Sequence, residues 1–454
     1  MNYEVSSFIL HPSSFMRLFP LKFRKLLGLL ALAALVLVGI IVYNQPPPSV
    51  LQVSATHLSD TGTATVPSKP IPRSLFGMHI ADSDKIPWPA VPFATWRLWD
   101  AATSNGLAFW AHLERQKGQW DFRTLDYCVE LAQKHGVELV YTMGITPKWA
   151  AARPNDSSPY GDGPTPAEPK NMDDWRNYVR TVATRYKGKI RYYEIWNEPN
   201  LKHFFSGTVD QLVALAREAY TILKQIDPSI TVVSPSLYAD WGGFKWFDEY
   251  FAKGGGKYAD VIAAHFYIGK EKTPEDSLSL IREVQGVMAK HGLAQKPLWN
   301  TETGYGNKGE NVFYSAEDSM AYVARTYLVN WAAGMERFYW YAWDNRNVIT
   351  MLMVEEDNKT LTPAAKAYAQ IQKWLVGSRM KRCEPDKQNT WICELTREGG
   401  DTAWIVWNPK NELNLVVPEN SGIRQVHSLD GEKTALPDNR RLKVGRVPML
   451  LSKA

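Results

Sequence analysis

The feature that most constrains the fold is the alternation of short strand-like runs with longer helical patterns between residues 75 and 377. Eight runs are rich in apolar, β-branched or aromatic residues, as buried parallel strands are. They are LFGMHI from Leu75, TWRLWD from Thr95, VELVYTMG from Val137, IRYYEIWNEP from Ile190, TVVSPS from Thr231, VIAAHFY from Val261, PLWNTETGY from Pro297 and RFYWYAW from Arg337. Between the runs, apolar residues recur three or four positions apart, as they do on one face of a helix.

Eight strands, each followed by a helix, predict a (β/α)8 TIM barrel over residues 73–377. The alternative is an open doubly wound sheet. That fold more often has a Gly-rich turn after its first strand, and no such turn occurs here. The alternation therefore favours the barrel.

A change in sequence pattern after residue 377 predicts a second domain. Residues 378–454 contain only short alternating segments such as NTWICELTR, DTAWIVWNP and LNLVVPE, which are separated by Pro, Gly, Asn and Asp. We expect a small antiparallel β-sandwich there. Cys383 and Cys393 flank a short strand-like turn in this region, and we predict a local disulfide between them because an exported chain meets oxidising conditions.

The N-terminal region predicts export. Residues 26–42 are uncharged and apolar, four basic residues precede them, and the spacer NQPPPS follows Tyr43. This pattern predicts a basic cytoplasmic segment at 1–25, a transmembrane signal anchor at 26–43 and a linker at 44–72. The catalytic domain would then lie in the periplasm or outside the cell, tethered to the inner membrane. A cleaved signal peptide and a secreted protein are the alternative.

Composition and motif searches exclude several classes of function. The net charge of +5 comes from interspersed basic and acidic residues, so we expect no nucleic acid partner. The GGGK segment from Gly254 lacks the remainder of a phosphate loop, no His/Glu pair has zinc-protease spacing, and no G-x-S-x-G occurs. We therefore predict neither a cofactor nor a catalytic metal; the sequence does not constrain the oligomeric state.

Two glutamates stand at the predicted strand ends where a barrel builds its active site. The fourth run ends in Asn197-Glu198-Pro199, and the seventh ends around Glu302. Cleavage of a glycosidic bond needs one carboxylic acid to protonate the leaving oxygen and one carboxylate to attack or to activate water. Strands four and seven face each other across a barrel mouth, so the two carboxyl groups are suitably placed.

With these motifs the chain resembles the clan A retaining glycoside hydrolases over about Leu75 to Gly377. The resemblance is strongest to family 39 and its exopolysaccharide hydrolases, through RLWD from Arg97, TPKWA from Thr146 and TPAAKAY from Thr362. Family 5 is the nearest competitor. The resemblance implies that Glu198 is the acid/base and Glu302 the nucleophile, with a glycosyl-enzyme intermediate between two displacements.

Further site residues follow from the resemblance and from strand alternation. Asn197 resembles the donor to the sugar 2-hydroxyl, and Trp343 resembles the floor of the cleaving subsite. We expect Arg97 to keep Glu302 ionised, and His265 and Tyr267 to orient the two carboxyl groups. The remaining candidates for substrate contact are His79, at the end of strand one, and Trp149.

Each assignment has a structural alternative. In this alternative, Glu198 and Glu302 form salt bridges that only stabilise the fold, and Arg97 forms an ion pair of the same kind. The tryptophans then belong to the hydrophobic core. Glu194 lies on the same predicted face as Glu198 but deeper in the barrel, and it lacks the flanking Asn and Pro.

Long loops after strands three, four and five favour a cleft that binds several sugars of the substrate in separate subsites. We expect an endo-acting hydrolase of an extracellular or periplasmic polysaccharide, in particular a bacterial exopolysaccharide. The alternatives are an exo-β-xylosidase, a family 5 β-glucanase, or a carbohydrate-binding barrel that has lost catalysis.

Overall fold

The computed structural model describes residues 49–50, 66–240 and 242–453 of the chain. Within these ranges no helix combines the length and the apolar character that a membrane crossing requires. The basic segment predicted at 1–25 and the anchor predicted at 26–43 lie outside the described residues, and so does Trp241 in the loop after strand five.

Eight parallel strands surround the centre of the larger domain. They are β1 (Phe76–Met78), β2 (Thr95–Arg97), β3 (Glu138–Met143), β4 (Tyr192–Ile195), β5 (Thr231–Val233), β6 (Ile262–His265), β7 (Leu298–Thr303) and β8 (Met335–Trp340). Each strand from β1 to β4 pairs with the next one in the chain, β8 pairs with β1, β7 pairs with β8, and β6 pairs with β7.

The sheet curls until its two edges meet. The short strand Leu237–Tyr238 continues β5 after a break and pairs with β6, and a parallel bridge joins Val233 to Val261. Buried side chains from six of the strands form a cluster of their own, namely Val140, Tyr192, Val233, Val261, Ala263, Trp299 and Tyr339. The domain therefore has an α/β fold of the TIM-barrel type, and that part of the sequence prediction is confirmed.

Helices follow the strands along the chain. They are α1 (Trp110–Leu113), α2 (Arg123–His135), α3 (Met172–Arg185), α4 (Val209–Ile226), α5 (Gly243–Ala252), α6 (Ser277–Lys290), α7 (Ala316–Ala332) and α8 (Pro363–Leu375). Their ends carry local signals. Thr208 and Gln211 form a reciprocal capping box at the start of α4, and Gly136 ends α2 in the left-handed conformation.

The connection between β1 and β2 departs from the predicted pattern. We expected a helix after every strand, but residues 79–94 contain none. Three prolines in this stretch, Pro87, Pro89 and Pro92, remove backbone donors and disfavour helical conformation in the residues before them. The expectation of a helix after every strand is therefore wrong for β1.

The C-terminal sheet domain follows α8. A six-stranded antiparallel sheet has the order β9 (Arg379–Pro385), β10 (Trp391–Thr396), β11 (Thr402–Trp407), β16 (Met449–Ser452), β13 (Gln425–His427) and β14 (Lys433–Ala435). A second antiparallel pair consists of β12 (Leu413–Val416) and β15 (Arg441–Val444). Buried Trp404 and Val406 of β11 pack with Leu415 of β12 and Val444 of β15, so the two sheets share a core.

Cys383 and Cys393 are directly opposite each other on β9 and β10. They are joined by a disulfide, at the two positions that the sequence singled out. Cys128, the third cysteine, is buried in α2 and has a free thiol.

A buried ion pair ties the sheet domain to the barrel. Arg325 of α7 is 1% exposed, and its Nε lies 2.7 Å from Oε1 of Glu275. The indole Nε1 of Trp407 donates to the same Glu275 oxygen at 2.7 Å. One carboxylate thus accepts hydrogen bonds from both domains.

We expect Glu275→Ala to lower the free energy of unfolding by about 3–5 kcal/mol, because it leaves the Arg325 guanidinium buried without its partner. Glu317→Ala is the matched control, since Glu317 pairs with Arg446 in an exposed contact, where the loss should stay below about 1 kcal/mol. Urea unfolding followed by tryptophan fluorescence measures both. Equal losses in the two variants would contradict the structural role given to Glu275.

Candidate active site

The C-terminal ends of four strands bring the predicted polar residues to one place. Arg97 is the last residue of β2, and His265 is the last of β6. Glu302 lies near the end of β7, and Asn197 and Glu198 follow β4. All five side chains are at least 90% buried. Because the strands are parallel, their carboxyl ends share one edge of the sheet, which explains why distant residues converge.

The Arg97 guanidinium is the centre of this cluster. Its side chain is fully buried, and its Nε donates to Glu194 at 2.7 Å. Its two terminal nitrogens donate to Glu302 and to the side-chain oxygen of Asn197, each at 2.7 Å. Arg97 therefore joins β2, β4 and β7 through charge-assisted hydrogen bonds.

Glu302 is held on both of its oxygens. Oε2 accepts from Arg97, and Oε1 accepts from the Tyr267 hydroxyl at 2.9 Å. Burial raises the pKa of Glu302 to about 7, while the Arg97 charge and the Tyr267 hydrogen bond act in the opposite direction. These two donors favour the ionised form of Glu302 over that of its neighbour Glu198.

Glu198 has a different environment. Its Oε1 lies 2.7 Å from Nδ1 of His265, and its backbone has a φ of 41°. Trp196, two residues earlier, has a φ of 75°. Non-glycine residues in this region are strained and cluster at functional sites. Burial and the nearby Glu302 charge raise the pKa of Glu198 well above its ordinary value, so Glu198 is the member of the pair that retains its proton.

The two carboxyl groups lie close together. An oxygen of Glu198, an oxygen of Glu302 and a ring nitrogen of His265 all lie within 4.8 Å of one another. That spacing would also suit a metal ion, and these three residues are the ones that would hold it. However, hydrogen bonds to Arg97, Tyr267 and Thr301 already engage the same side chains.

The two histidines of the cluster are neutral. Burial and the Arg97 charge lower the pKa of His265 well below its ordinary value, and the same causes lower the pKa of His79 to about 3. His265 Nε2 lies 3.1 Å from the Thr301 hydroxyl, and His79 Nε2 donates to the Thr301 carbonyl oxygen at 3.0 Å. Both imidazoles are thus tied to the strand that carries Glu302.

The two predicted tryptophans have different surroundings. Trp343 is 2% exposed, and its backbone N–H donates to the His79 carbonyl oxygen at 2.9 Å. Trp149 instead donates to the Glu114 carbonyl oxygen at 2.7 Å and packs edge-on against Trp110. Trp343 therefore lies beside the cluster, next to His79. Trp149 instead contacts Glu114 and Trp110.

One carboxylate beside this cluster, Asp100, was not among the site residues predicted from the sequence. It follows β2 by three residues, has a φ of 60°, and accepts hydrogen bonds from the hydroxyls of Tyr160 and Tyr341 at 2.8 and 2.7 Å. The charge of Asp100 contributes to the raised pKa of Glu302. Its position in the RLWD run, at the end of a predicted strand, was the sequence feature that could have identified it as a site residue.

A carboxyl group that keeps its proton and a second one that ionises more readily, close together in a buried pocket, can act on the two sides of an acetal carbon. The nearer oxygens of the two groups lie within 4.8 Å of each other, which is less than the separation of about 6.5–9.5 Å between carboxyl groups that activate a water.

Comparisons with known proteins agree with this chemistry. The profile of the family "Glycosyl hydrolase catalytic core" matches residues 127–368, more than half of the chain. A beta-xylosidase of Caldicellulosiruptor saccharolyticus is 29% identical over 153 residues, which are 32% of this chain and 29% of that protein. A second, of Geobacillus stearothermophilus, is 22% identical over 231 residues, which are 45% of each protein. The chain thus spans less than half the length of these curated relatives.

Solved structures show the same fold. A family 39 glycoside hydrolase of Bacteroides cellulosilyticus WH2 superposes with a TM-score of 0.64 at 18% identity, covering 84% of this chain and 81% of that one. A monomeric beta-xylosidase of Caulobacter crescentus CB15 superposes with a TM-score of 0.59 at 14% identity, covering 84% and 96%. At these identities the likeness concerns the fold alone.

We predict that Tyr267→Phe moves the acid limb of the pH–rate profile for an aryl glycoside upward by about one unit. Catalysis needs Glu302 ionised, so activity falls as the pH drops through the pKa of Glu302. Loss of the Tyr267 donor raises that pKa. Tyr186→Phe is the control, since Tyr186 donates to Asp126 elsewhere. An unchanged acid limb in Tyr267→Phe would contradict the role assigned to this hydroxyl.

Proposed function

This chain belongs to the glycosyl hydrolase catalytic core family, and from that premise we propose that it is a glycosidase that cleaves its substrate with retention of anomeric configuration. The observation that carries the proposal is the pair formed by Glu198 and Glu302, in which one oxygen of each carboxyl group lies within 4.8 Å of one oxygen of the other. Retaining enzymes hold their two carboxyl groups about 5–5.5 Å apart, since the nucleophile itself attacks the sugar.

In the first half of the reaction, Glu302 attacks the anomeric carbon while Glu198 gives its proton to the leaving oxygen. The glycosidic bond breaks, and an ester bond forms between the sugar and Glu302. Arg97 and Tyr267 hold the attacking carboxylate in place, and Asn197, fixed by Arg97, is positioned to donate to the sugar 2-hydroxyl, a contact that strengthens in the transition state.

In the second half, Glu198 acts as a base. Once Glu302 is esterified it carries no charge, so the pKa of Glu198 falls and the ionised form becomes accessible. Glu198 then takes a proton from water as the water attacks the anomeric carbon and releases Glu302. The neutral His265 imidazole, 2.7 Å from Glu198, keeps the carboxyl group oriented in both protonation states.

For the substrate, we propose a polysaccharide outside the cytoplasm that is cleaved within the chain, in particular a bacterial exopolysaccharide. The long loop of residues 151–173 supports this. Its segment Pro164–Thr165 pairs with Thr146–Pro147 just after β3, and within the loop Arg153 forms an ion pair with Glu168. An ordered loop of this length beside the mouth supplies a wall for further sugar subsites.

A β-xylosidase activity that releases single sugars is the second candidate. The names of the two curated relatives favour it. The loops also serve this function if they close a pocket around one sugar. Export and membrane anchoring stay predictions from residues 1–43, because these lie outside the described part of the chain.

Substitution of the two glutamates tests the mechanism. We expect Glu302→Gln to lower kcat by roughly four orders of magnitude or more on any substrate, because the nucleophile is lost. Glu198→Gln should lower kcat/KM, which reports the first half of the reaction, about 10²–10⁴-fold for a poor leaving group and much less for a dinitrophenyl glycoside, whose departure needs no acid. Glu336→Gln, in an exposed pair with Lys69, is the control. Wild-type rates in both site variants would exclude the mechanism.

Analysis of the earliest products separates the two substrate proposals. For an endo-acting enzyme, we expect oligosaccharides of several lengths and a rapid fall in polymer viscosity; a β-xylosidase should release xylose alone. Proton NMR of the same samples should show the starting anomeric configuration. Inversion at the anomeric carbon would contradict the retaining mechanism regardless of product length.

A further inference from the structure

Asp100 is a carboxylate at the catalytic mouth to which the proposed mechanism gives no role. Its backbone is in the left-handed region, with a φ of 60°, which a non-glycine residue adopts at some cost in free energy. Two tyrosines from separate parts of the chain donate to its two carboxylate oxygens, Tyr160 to Oδ1 and Tyr341 to Oδ2. The side-chain amide of Asn345 in turn donates to the Tyr341 hydroxyl at 2.5 Å.

This arrangement faces the catalytic cluster. The Tyr341 ring packs edge-on against His79, with 5.1 Å between the ring centroids. The Asp100 residue stays partly exposed, in contrast to Arg97 three positions before it. An ionised carboxylate offers about four acceptor sites, and the two tyrosines occupy one on each oxygen. Asp100 therefore keeps acceptor capacity beside the position where a sugar must lie.

The absence of a cationic hydrogen-bond partner distinguishes Asp100 from Glu194 and Glu302. Glu194 and Glu302 both pair with Arg97, whereas the hydroxyls that hold Asp100 carry no charge. Arg97 thus offsets part of the negative charge around the two catalytic glutamates, whereas Asp100 increases that negative charge. A sugar bound there meets an excess of negative charge at short range, in a buried setting where screening by salt is weak.

We propose that Asp100 is a specificity-determining residue that accepts hydrogen bonds from hydroxyls of the bound sugar and selects neutral sugars over sugars that carry a carboxylate. The proposal rests on the proposed glycosidase site, since it assigns Asp100 to the sugar next to Glu302. The tyrosine pair explains the strained backbone, because two directed donors hold the carboxylate in one orientation before the substrate arrives.

The test compares two aryl glycosides that differ only at carbon six, an aryl β-glucoside and the corresponding β-glucuronide. We expect wild-type protein to prefer the glucoside. Asp100→Asn should lower kcat/KM for the glucoside at least tenfold, mainly through KM, and should reduce the glucoside-to-glucuronide ratio at least tenfold. Tyr160→Phe is the matched variant. It removes one hydrogen bond and leaves the charge, so the ratio should stay near the wild-type value.

Binding measurements cover the case in which neither glycoside is turned over. Calorimetry in the Glu302→Gln background, with neutral oligosaccharides and their uronic acid counterparts, should give the same order of preference and the same dependence on Asp100. Two results would overturn the role proposed for Asp100 and leave the proposed function intact. One is that Asp100→Asn hydrolyses or binds the sugars with unchanged selectivity, and the other is that the wild-type protein prefers the acidic sugar. Asp100-dependent binding by a protein that hydrolyses no glycoside instead overturns the proposed function.

Discussion

The active site depends on one buried guanidinium. Arg97 donates to Glu194, Glu302 and Asn197, so the ends of β2, β4 and β7 are held in a fixed relation by one side chain. A buried charge is costly unless strong hydrogen bonds compensate for it, and replacing such a network with apolar residues often does not lower stability. The arrangement is therefore best explained by what it does for Glu302, whose carboxyl group it orients and whose ionised form it favours.

The same network separates the chemical roles of two otherwise similar glutamates. Both are buried, and burial raises the pKa of each. Glu302 accepts hydrogen bonds from the Arg97 cation and from the Tyr267 hydroxyl. Glu198 contacts the neutral His265 imidazole and is repelled by the charge of Glu302. The difference between the proposed acid and the proposed nucleophile thus lies in the partners that two other strands, β2 and β6, supply. The backbone at Trp196 and Glu198 has positive φ, a conformation that clusters at functional sites.

Sequence patterns predicted much of this arrangement because the information is local. Alternating strand and helix periodicity indicated the barrel, and strand ends identified Arg97, Glu198, His265 and Glu302 as neighbours. Asp100 was missed although it ends the RLWD run, because its partners are 60 and 241 positions away and the run gives no indication of these pairings. Trp149 shows the opposite limit: an aromatic residue near a strand end gives no indication of the direction in which its ring points.

The net negative charge of the pocket affects both the rate of cleavage and the range of sugars that can bind. The transition state of glycoside cleavage resembles an oxocarbenium ion, so carboxylates around the anomeric carbon stabilise positive charge as it develops. The same charges repel a substrate that carries a carboxylate, and Arg97 cannot offset this because Glu194 and Glu302 already engage it. Asp100 adds negative charge without adding a cation. Its presence therefore strengthens transition-state stabilisation and narrows the range of sugars that can bind.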